Sequence, residues 1–326
     1  MKTALYSAGT GKKILKGFTL IELLMVSVIF MTLMTILMPA LKKARARAKF
    51  VRWYACNKTW SRDPACVINY DFQEITNKNG VDYLLSTADG GGGDDFNREH
   101  YDGKLMSVTN GEDHSFDEGL VSAGRWGSFK KALHFNGSDT YIDVKGTKAL
   151  DFGPTNDFTI LISSRFDSFN LGDGLFSKSL WGSSFDTSCQ YDMYCDDNDA
   201  GTFDVDIFDE CVGWDQDSIE FNEDTGWIHT VFRYKYEEGE PLRDRTSIFI
   251  NGVKLEGARD TNNDVSEDWQ TCSSAEKHFM LGAIGSQPWR DGGVIYNFEG
   301  YIDEFIMIGR ALSDGECKGM YEMGKE

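Results

Sequence analysis

Apolar residues follow two contrasting patterns along the 326-residue chain. From Leu23 to Leu41 there are 19 consecutive residues without a charge, nearly all of them apolar. At ~1.5 Å of rise per residue, a helix of this length crosses most of a ~30 Å hydrocarbon core. A cleaved secretory signal is the alternative, but its apolar stretch is ordinarily ~7–15 residues long and ends at a small-residue cleavage site. The pattern therefore predicts a membrane-spanning helix near the N-terminus.

Beyond about residue 64 the chain changes to short segments of alternating polarity separated by Gly, Asn and Asp, which is typical of antiparallel β-sheets. Asn251-Gly252 joins two such segments, and this dipeptide tolerates the positive φ angles of a type I′ turn. The sequence therefore predicts a mainly β fold, in which the N-terminal helix is followed by an antiparallel β-sandwich of the jellyroll type. The predicted strands are 66–72, 131–135, 140–144, 158–166, 203–208, 227–234, 247–250 and 301–308.

A lone carboxylate interrupts the start of the apolar segment. The sequence KGFTLIELLMV places Gly17 and Phe18 after a short basic leader, and Glu22 inside apolar sequence. A charge at membrane depth costs at least ~2.5–3.5 kcal/mol on insertion scales, so Glu22 needs either a partner or a position close to the hydrated interface. Pro39 removes one backbone donor and clashes with the preceding turn, which predicts a kink or a melted turn there.

This segment resembles the N-termini of type IV pilins and of the pseudopilins of type II secretion systems. The resemblance implies that prepilin peptidase cleaves between Gly17 and Phe18 and that the new amine of Phe18 is methylated. It also implies that Glu22 pairs with this amine on a neighbouring subunit, and that Pro39 stands where pilins often carry a helix-loosening proline. The expected partners are then prepilin peptidase, other pilin or pseudopilin subunits and the cytoplasmic membrane.

Positive charge flanks the apolar segment on both sides. Four lysines precede it, and six Lys and Arg residues follow it between Lys42 and Arg52. Charge counting alone favours an orientation in which the C-terminal side is cytoplasmic. The pilin-like leader implies the opposite orientation, with the N-terminus inside and the main domain in the periplasm or outside the cell. The basic segment either lies against anionic headgroups or forms a solvated helical face.

Residues 64–326 resemble the laminin-G-like, or concanavalin A-like, jellyroll domains of bacterial surface proteins. The segments that carry the resemblance include VINYDFQE, KALHFNGSDTYIDV, SIFINGVKL and FEGYIDEFIMIGRALSDGECKGMY. The resemblance implies a structural calcium ion held by Asp303 and the turn at Asn136 and Gly137, since carboxylate and carbonyl oxygens suit calcium. The alternative is that Asp303 only caps an edge of the sandwich. Binding of carbohydrate or protein ligands is the expected role of such a domain.

Charge and cysteine content narrow the function. The net charge of −19 divides into +9 for residues 1–52 and −28 for the remainder, which argues against nucleic acid as a partner of the main domain. The seven cysteines lack the paired spacing of a structural zinc site. Disulfides are permitted if the domain lies outside the cytoplasm, and the short spacings favour Cys56 with Cys66 and Cys189 with Cys195.

An enzymatic role is the weaker alternative. Retaining glycosidases need two carboxyl groups ~5–5.5 Å apart, and FDVDIFDE superficially resembles the catalytic strand of laminarinase-type enzymes. Here Asp204 stands in place of a Glu, the acid would have to be Asp209 or Glu210, and the shorter nucleophile would be displaced. His229 has no evident Ser or Cys nucleophile partner and is expected to pack in a strand. We therefore expect that the chain is not an enzyme.

Tryptophans in loop-like sequence are candidates for stacking on sugars. They are Trp181, Trp214, Trp269 and Trp289. Aromatic side chains are also ordinary components of a sandwich core, so the sequence leaves both roles open.

These patterns divide the chain into a leader at 1–17, a pilin-like transmembrane and basic helix at 18–55, and a jellyroll at 64–326. The predicted function is that of a membrane-anchored pilin-like or pseudopilin protein of a type II secretion or type IV pilus system, displaying a ligand-binding domain outside the cytoplasmic membrane. The alternatives are a lectin-like surface adhesin that never polymerises and a glycan hydrolase of the laminarinase type.

Overall fold

The structure, a computed structural model, describes residues 19–89, 101–109, 112–114, 120–121, 124–146, 148–168, 173–180, 188–196, 202–207, 210–214, 226–256, 258–260, 278–284 and 296–324. The chain divides into two compact units, Met1–Arg45 and Ala46–Glu326. The boundary falls inside the first helix rather than after it, so the last turns of that helix belong to the same unit as the strands.

Helix α1 (Leu20–Trp60) is continuous over 41 residues, which is about 60 Å at ~1.5 Å per residue. Pro39 lies inside the helix, and the helical backbone continues through it. Of the two outcomes expected at Pro39, a kink or a melted turn, the melted turn is therefore absent. The helix also ends later than position 55, since Trp53 and Asn57 are buried in the second unit.

The second unit is a β-sandwich, and its described residues include the short α-helices α2 (Leu242–Arg245) and α3 (Asp314–Gly324). Its strands are β1 (Cys66–Tyr70), β2 (Ile75–Lys78), β3 (Val81–Leu84), β4 (Gly103–Thr109), β5 (Glu112–His114), β6 (Leu120–Val121), β7 (Ala132–Asn136), β8 (Thr140–Val144), β9 (Phe158–Phe166), β10 (Gly174–Leu180), β11 (Ser188–Asp196), β12 (Thr202–Ile207), β13 (Glu210–Trp214), β14 (Ile228–Tyr234), β15 (Thr246–Ile250), β16 (Val253–Lys254), β17 (Ala258–Asp260), β18 (Phe279–Leu281), β19 (Ala283–Ile284), β20 (Tyr296–Asn297) and β21 (Glu299–Ile308).

Two large antiparallel sheets form the sandwich. Within the described residues, the first sheet has the order β16-β15-β14-β9-β21-β7-β6, and β1 pairs along the second half of β21. The second sheet has the order β17-β13-β12-β11-β10-β18-β8-β4-β3-β2, and β5 pairs with β4. β19 and β20 pair only with each other and form a separate two-stranded sheet. The mainly β fold with an N-terminal apolar helix is thus confirmed.

The predicted strands match observed strands closely, and the predicted hairpin is present. Asn251 and Gly252 have φ angles of +51° and +76°, as a type I′ turn requires. The turn pairs Ile250 with Val253, so β15 and β16 form a two-residue hairpin.

The core lies between the facing sheets and is rich in aromatic rings. Along β9, alternate residues such as Phe158, Ile160 and Ile162 join this core, as the two-residue period of a strand requires. The intervening Leu161 packs on the opposite face of the first sheet, where Cys317 of α3 joins a second apolar cluster. Part of the outer face of the first sheet is therefore covered as well.

Candidate functional sites in the helix and the sandwich

The part of α1 in the first unit exposes apolar side chains in every direction. All described residues from Thr19 to Arg45 are exposed, including Leu20 at 84%, Ile36 at 73% and Met31 at 68%. A helix of a soluble domain buries an apolar stripe against its core, and this segment buries none. By length and composition it can serve as a membrane span or as a signal anchor.

Glu22 closes the N-terminus of α1 through a capping box with Thr19. The backbone nitrogen and Oγ1 of Thr19 donate to Glu22 Oε2 at 2.9 and 2.8 Å, and the backbone nitrogen of Glu22 donates to Thr19 Oγ1 at 3.3 Å. This reciprocal arrangement satisfies backbone donors that the first helical turn leaves unpaired. The carboxylate is fully exposed to its surroundings. Gly17 and Phe18 lie outside the described residues.

In the second unit, a β-bulge at Asp303 brings two adjacent carboxylates to one arginine. Ile302 of β21 pairs with Ser164, but Glu304 pairs with Ser163, so Asp303 is an extra residue in the ladder. The backbone nitrogen of Arg125 donates to Asp303 Oδ2 at 2.8 Å, and its Nε lies 2.9 Å from Asp303 Oδ1. Its Nη2 donates to Glu304 Oε2. One guanidinium fork thus binds both acids.

Glu304 also binds the last turns of α1. Trp53 Nε1 donates to Glu304 Oε1 at 2.6 Å, and Asn57 Nδ2 donates to the same oxygen at 3.2 Å. Lys130 Nζ lies 3.4 Å from the centroid of the Trp53 ring and donates to the backbone oxygen of Asp71 at 2.6 Å. We call these side chains the polar network; its members are Trp53, Asn57, Arg125, Lys130, Asp303 and Glu304. All of them except the partly exposed Arg125 are buried.

Electrostatics in the polar network favour an ionised Glu304. Burial opposes its ionisation, but the Arg125 guanidinium and the Lys130 ammonium outweigh burial and lower the pKa of Glu304 to about 2. Burial lowers the pKa of Lys130 to about 7, although the carboxylates of Asp303 and Glu304 act in the opposite direction. Burial thus favours the neutral form of Lys130.

Sequence patterns singled out only Asp303 from the polar network. Trp53 and Asn57 are four residues apart on α1, a spacing that places them on one helical face. This spacing was the signal in the sequence that could have identified them as a pair. Arg125 and Lys130 come from a turn-rich segment about 175 residues before β21 in sequence, and no periodicity connects them with it.

The predicted calcium ligands do not come together. Asn136 pairs with Glu299 at the start of β21, and Asp303 lies four residues further along, or about 13 Å away along the strand. Asp303 forms an ion pair with Arg125. Asn136 Oδ1 accepts hydrogen bonds from the backbone nitrogens of Ser138 and Asp139 at 3.0 and 3.1 Å. In the described part of the chain no group of three or more His, Cys, Asp or Glu residues is arranged to hold a metal ion.

Gly137, the third residue of the expected calcium set, has a structural role in this turn. Its φ of +69° is in the left-handed region that favours glycine. Its backbone nitrogen donates to the backbone oxygen of Phe298 at 3.1 Å, which joins the turn to the segment before β21.

Three of the tryptophan candidates, Trp181, Trp269 and Trp289, lie outside the described residues. Trp214 is the last residue of β13, where its backbone pairs with Phe203 on one side and Ala258 on the other. The side chain of Trp214 lies outside the described part of the structure. The sugar-stacking role of all four tryptophans therefore stays a prediction.

A different aromatic row lies half-exposed on the outer face of the first sheet. The guanidinium carbon of Arg165 lies 4.2 Å from the Tyr301 ring centroid and 5.9 Å from that of Trp227. The His134 ring contacts Tyr301 in a tilted arrangement, with centroids 4.5 Å apart, and its Nε2 lies 3.2 Å from Asp167 Oδ2. Aromatic residues and arginine are enriched at binding hot spots, so we name His134, Arg165, Trp227 and Tyr301 the aromatic row and treat it as a candidate ligand surface.

The segment compared with a glucanase strand folds as a hairpin. Asp204 lies on β12 and pairs with Gly213, whereas Glu210 starts β13 and pairs with Ile207. The two backbones are therefore about three residues apart along the ladder, or about 10 Å. A single strand presenting both acids, as the sequence suggested, is not formed; Asp209 lies outside the described residues.

A serine lies opposite His229 in the sheet, a neighbour that the sequence did not reveal. Ser163 of β9 pairs with His229 on one side and with Glu304 on the other. Within the described structure, neither Ser163 Oγ nor His229 Nδ1 has a hydrogen-bond partner, and both side chains are buried. Burial, reinforced by Arg125, lowers the pKa of His229 to about 4. The pair lacks the hydrogen bond between nucleophile and base that acyl-transfer chemistry uses.

The expected pairing of Cys56 with Cys66 is not formed, because both are free thiols. Cys66 is buried in the apolar cluster on the outer face of the first sheet, and its Sγ donates to the backbone oxygen of Ile68 at 3.6 Å. Cys56 is partly exposed on α1. The side chain of Cys189 is outside the description, so the second pairing stays a prediction.

Comparisons with known proteins give partial likenesses. No protein family model matches the sequence, and no curated protein matches it. Among solved structures, a Trypanosoma rangeli sialidase in complex with sialic acid is similar at 12% identity and a TM-score of 0.46, covering 80% of this chain and 34% of the sialidase. The chain thus spans about a third of the length of that enzyme.

Two other solved structures are similar to the same extent. Domain 4 of AbnA, a GH43 extracellular arabinanase from Geobacillus stearothermophilus in complex with arabinotriose, has 14% identity and a TM-score of 0.43, with 78% of this chain and 98% of that chain covered. The binding domain of botulinum neurotoxin DC in complex with rat synaptotagmin II has 12% identity and a TM-score of 0.44, with 80% and 52% covered. Every one of these scores is below 0.5, and the likenesses assign neither a family nor a function.

Proposed function

We propose that this chain is a membrane-anchored, pilin-like or pseudopilin subunit of a type II secretion or type IV pilus system, processed between Gly17 and Phe18. The observation that carries the proposal is the bare apolar part of α1, in which Glu22 is the only acidic residue. A segment with apolar surface in every direction needs lipid or other apolar helices around it. A carboxylate in such surroundings needs a cation, and the methylated amine of Phe18 on a neighbouring subunit supplies one.

The capping box supports this role for Glu22, because it uses only part of the hydrogen-bonding capacity of the carboxylate. Both bonds that the carboxylate accepts from Thr19 go to Oε2. A capping carboxylate lies at the positive end of the helix dipole, at the end of α1 where a neighbour's amine would dock. Glu22 would thus fix its own helix start and receive a partner's charge with the same group.

The sandwich is proposed to be the displayed, non-enzymatic part, lying in the periplasm or outside the cell. The aromatic row supports ligand binding, because stacked rings around an arginine are the composition found where carbohydrate or protein partners dock. A structural calcium ion remains part of the proposal only at a site other than the three residues first expected. Nucleic acid is not proposed as a partner, since residues after 52 carry a net charge of −28.

The test separates the capping role of Glu22 from its docking role. In cells with a prepilin peptidase, a tagged and an untagged copy are expressed together and their co-purification from membranes is measured. We expect Glu22→Ala and Glu22→Gln to abolish co-purification and Glu22→Asp to retain part of it. Thr19→Val removes the hydroxyl of the capping box, keeps the backbone bond and the carboxylate, and should retain co-purification.

Two outcomes would contradict the proposal. If Thr19→Val and Glu22→Ala reduce co-purification equally, Glu22 is only a helix cap. If Glu22→Ala leaves co-purification unchanged, the chain is a simple membrane anchor, and the lectin-like adhesin that never polymerises becomes the better account.

A further inference from the structure

Three cations directly follow the apolar segment of α1. Lys42, Lys43 and Arg45 begin one residue after Leu41, and all three side chains are exposed. In the described structure none of the three forms an ion pair with a carboxylate. Lys42 and Arg45 are three residues apart and therefore neighbours on the helix surface, where like charges repel. The isolated helix thus carries a repulsion that an anionic partner would relieve.

The positions of these cations match one particular layer of a membrane. At ~1.5 Å per residue, they lie within about 6 Å of the end of the apolar segment along the helix axis. The headgroup region adds about 5–8 Å to each side of the hydrocarbon core. At about 100° per residue, Lys43 and Arg45 lie about 160° apart around the helix, with Lys42 between them. A fluid layer that surrounds the helix meets all three directions at once, whereas one protein surface meets one face.

We propose that Lys42, Lys43 and Arg45 form a cationic collar that binds the headgroups of anionic phospholipids on the sandwich side of the membrane. This inference rests on the proposed membrane role of α1. The phosphate groups neutralise the mutual repulsion of the collar, and the long side chains reach them while the alanines at 40 and 44 leave room for lipid to approach the helix. The collar opposes movement of the helix deeper into the membrane, since that would take Lys42 and Lys43 into the hydrocarbon core.

The test uses the purified full-length chain in lipid vesicles. Spin-labelled phosphatidylglycerol and phosphatidylcholine report, by electron spin resonance, which lipid associates preferentially with the protein. We expect a preference for phosphatidylglycerol that weakens in high salt. Lys42→Gln/Lys43→Gln should reduce that preference about tenfold or more. Lys235→Gln/Lys318→Gln removes two exposed lysines elsewhere in the chain and is the charge-matched control; it should leave the preference unchanged.

The outcomes distinguish this inference from the function on which it rests. If the chain does not enter phosphatidylcholine vesicles, the membrane role of α1 fails and the collar fails with it. If the chain enters but Lys42→Gln/Lys43→Gln keeps the full preference for phosphatidylglycerol, the collar is overturned while the membrane helix stands. A third outcome is that Lys42→Gln/Lys43→Gln keeps the preference for phosphatidylglycerol but loses carbodiimide crosslinks between copies of the chain. The cations would then bind an acidic surface of a second copy, which also overturns the collar.

Discussion

Removing the Glu304 carboxylate should destabilise the sandwich strongly, because this one group binds three donors from two other segments. Glu304→Ala leaves the Arg125 guanidinium with Asp303 alone and leaves Trp53 Nε1 without its acceptor. Asn57 is less affected, since its Nδ2 also donates to Asn69 Oδ1 at 3.2 Å. The Glu304 side chain is only 6% exposed, so solvent screens these interactions little.

The expected loss is about 3–5 kcal/mol in the free energy of unfolding. Breaking one partner of a buried ion pair costs about 3–5 kcal/mol, and this range already includes much of the penalty for the orphaned Trp53 donor. Whole domains are stable by only about 5–15 kcal/mol. The matched control is Glu322→Ala, whose partner Lys318 is 3.7 Å away and whose side chain is 52% exposed. Such an exposed i,i+4 pair contributes about 0.5 kcal/mol or less.

The assay is urea unfolding of the full-length chain in detergent, followed by tryptophan fluorescence. A lower midpoint with an unchanged slope would report lost stability alone. The reasoning is refuted if Glu304→Ala shifts the midpoint no further than Glu322→Ala, because the polar network would then contribute nothing beyond an exposed pair.

Three further predictions use the same unfolding assay or simple chemistry. Trp53→Phe keeps an aromatic side chain but removes the indole N–H donor and should cost about 1.5–3 kcal/mol. Tyr54→Phe, at a 41% exposed neighbouring position, should be neutral, and equal effects in the two variants would contradict the contact with the network carboxylate. Burial lowers the pKa of Lys130 to about 7 from an ordinary value of about 10.4. Between these two pH values the unfolded chain therefore binds more protons than the folded chain. The free energy of unfolding should then rise as pH increases from about 7 to 10. Lys130→Met should flatten that rise relative to the parent chain, and an identical slope in both proteins would show that Lys130 does not titrate there. Cys56 should react with iodoacetamide in the folded chain, but Cys66 should react only after unfolding, because burial raises the pKa of Cys66 to about 12. Peptide mass spectrometry measures the labelling of both cysteines. Rapid labelling of Cys66 in the native chain would contradict its burial.

The strands and the apolar helix were predictable because they depend on local patterns. The segment 140–144 was predicted as a strand and is a strand with those same bounds, and the positive φ angles at Asn251 and Gly252 follow from the residue types alone. The helix end was harder to locate. No local breaker marks position 55, and α1 continues to Trp60 because Trp53 and Asn57 find partners on β21, more than 240 residues later in sequence.

The site residues were less predictable because their positions also depend on features that no local pattern marks. The register of β21 changes at Asp303, and a bulge has no reliable signature in a single sequence. An unbulged strand would have kept neighbouring acids on opposite faces; the bulge instead delivers both to Arg125. Similarly, FDVDIFDE reads as one alternating strand, but the chain reverses between Ile207 and Glu210, so acids that are near in sequence become separated along a hairpin.

The most direct test of the pilin-like account is the N-terminal sequence of the chain extracted from membranes of a cell that contains prepilin peptidase. The account predicts a polypeptide that begins at Phe18 with a methylated amine. A chain that retains Met1 and the basic leader would contradict it, since the amine proposed to neutralise Glu22 on a neighbouring subunit would then never form.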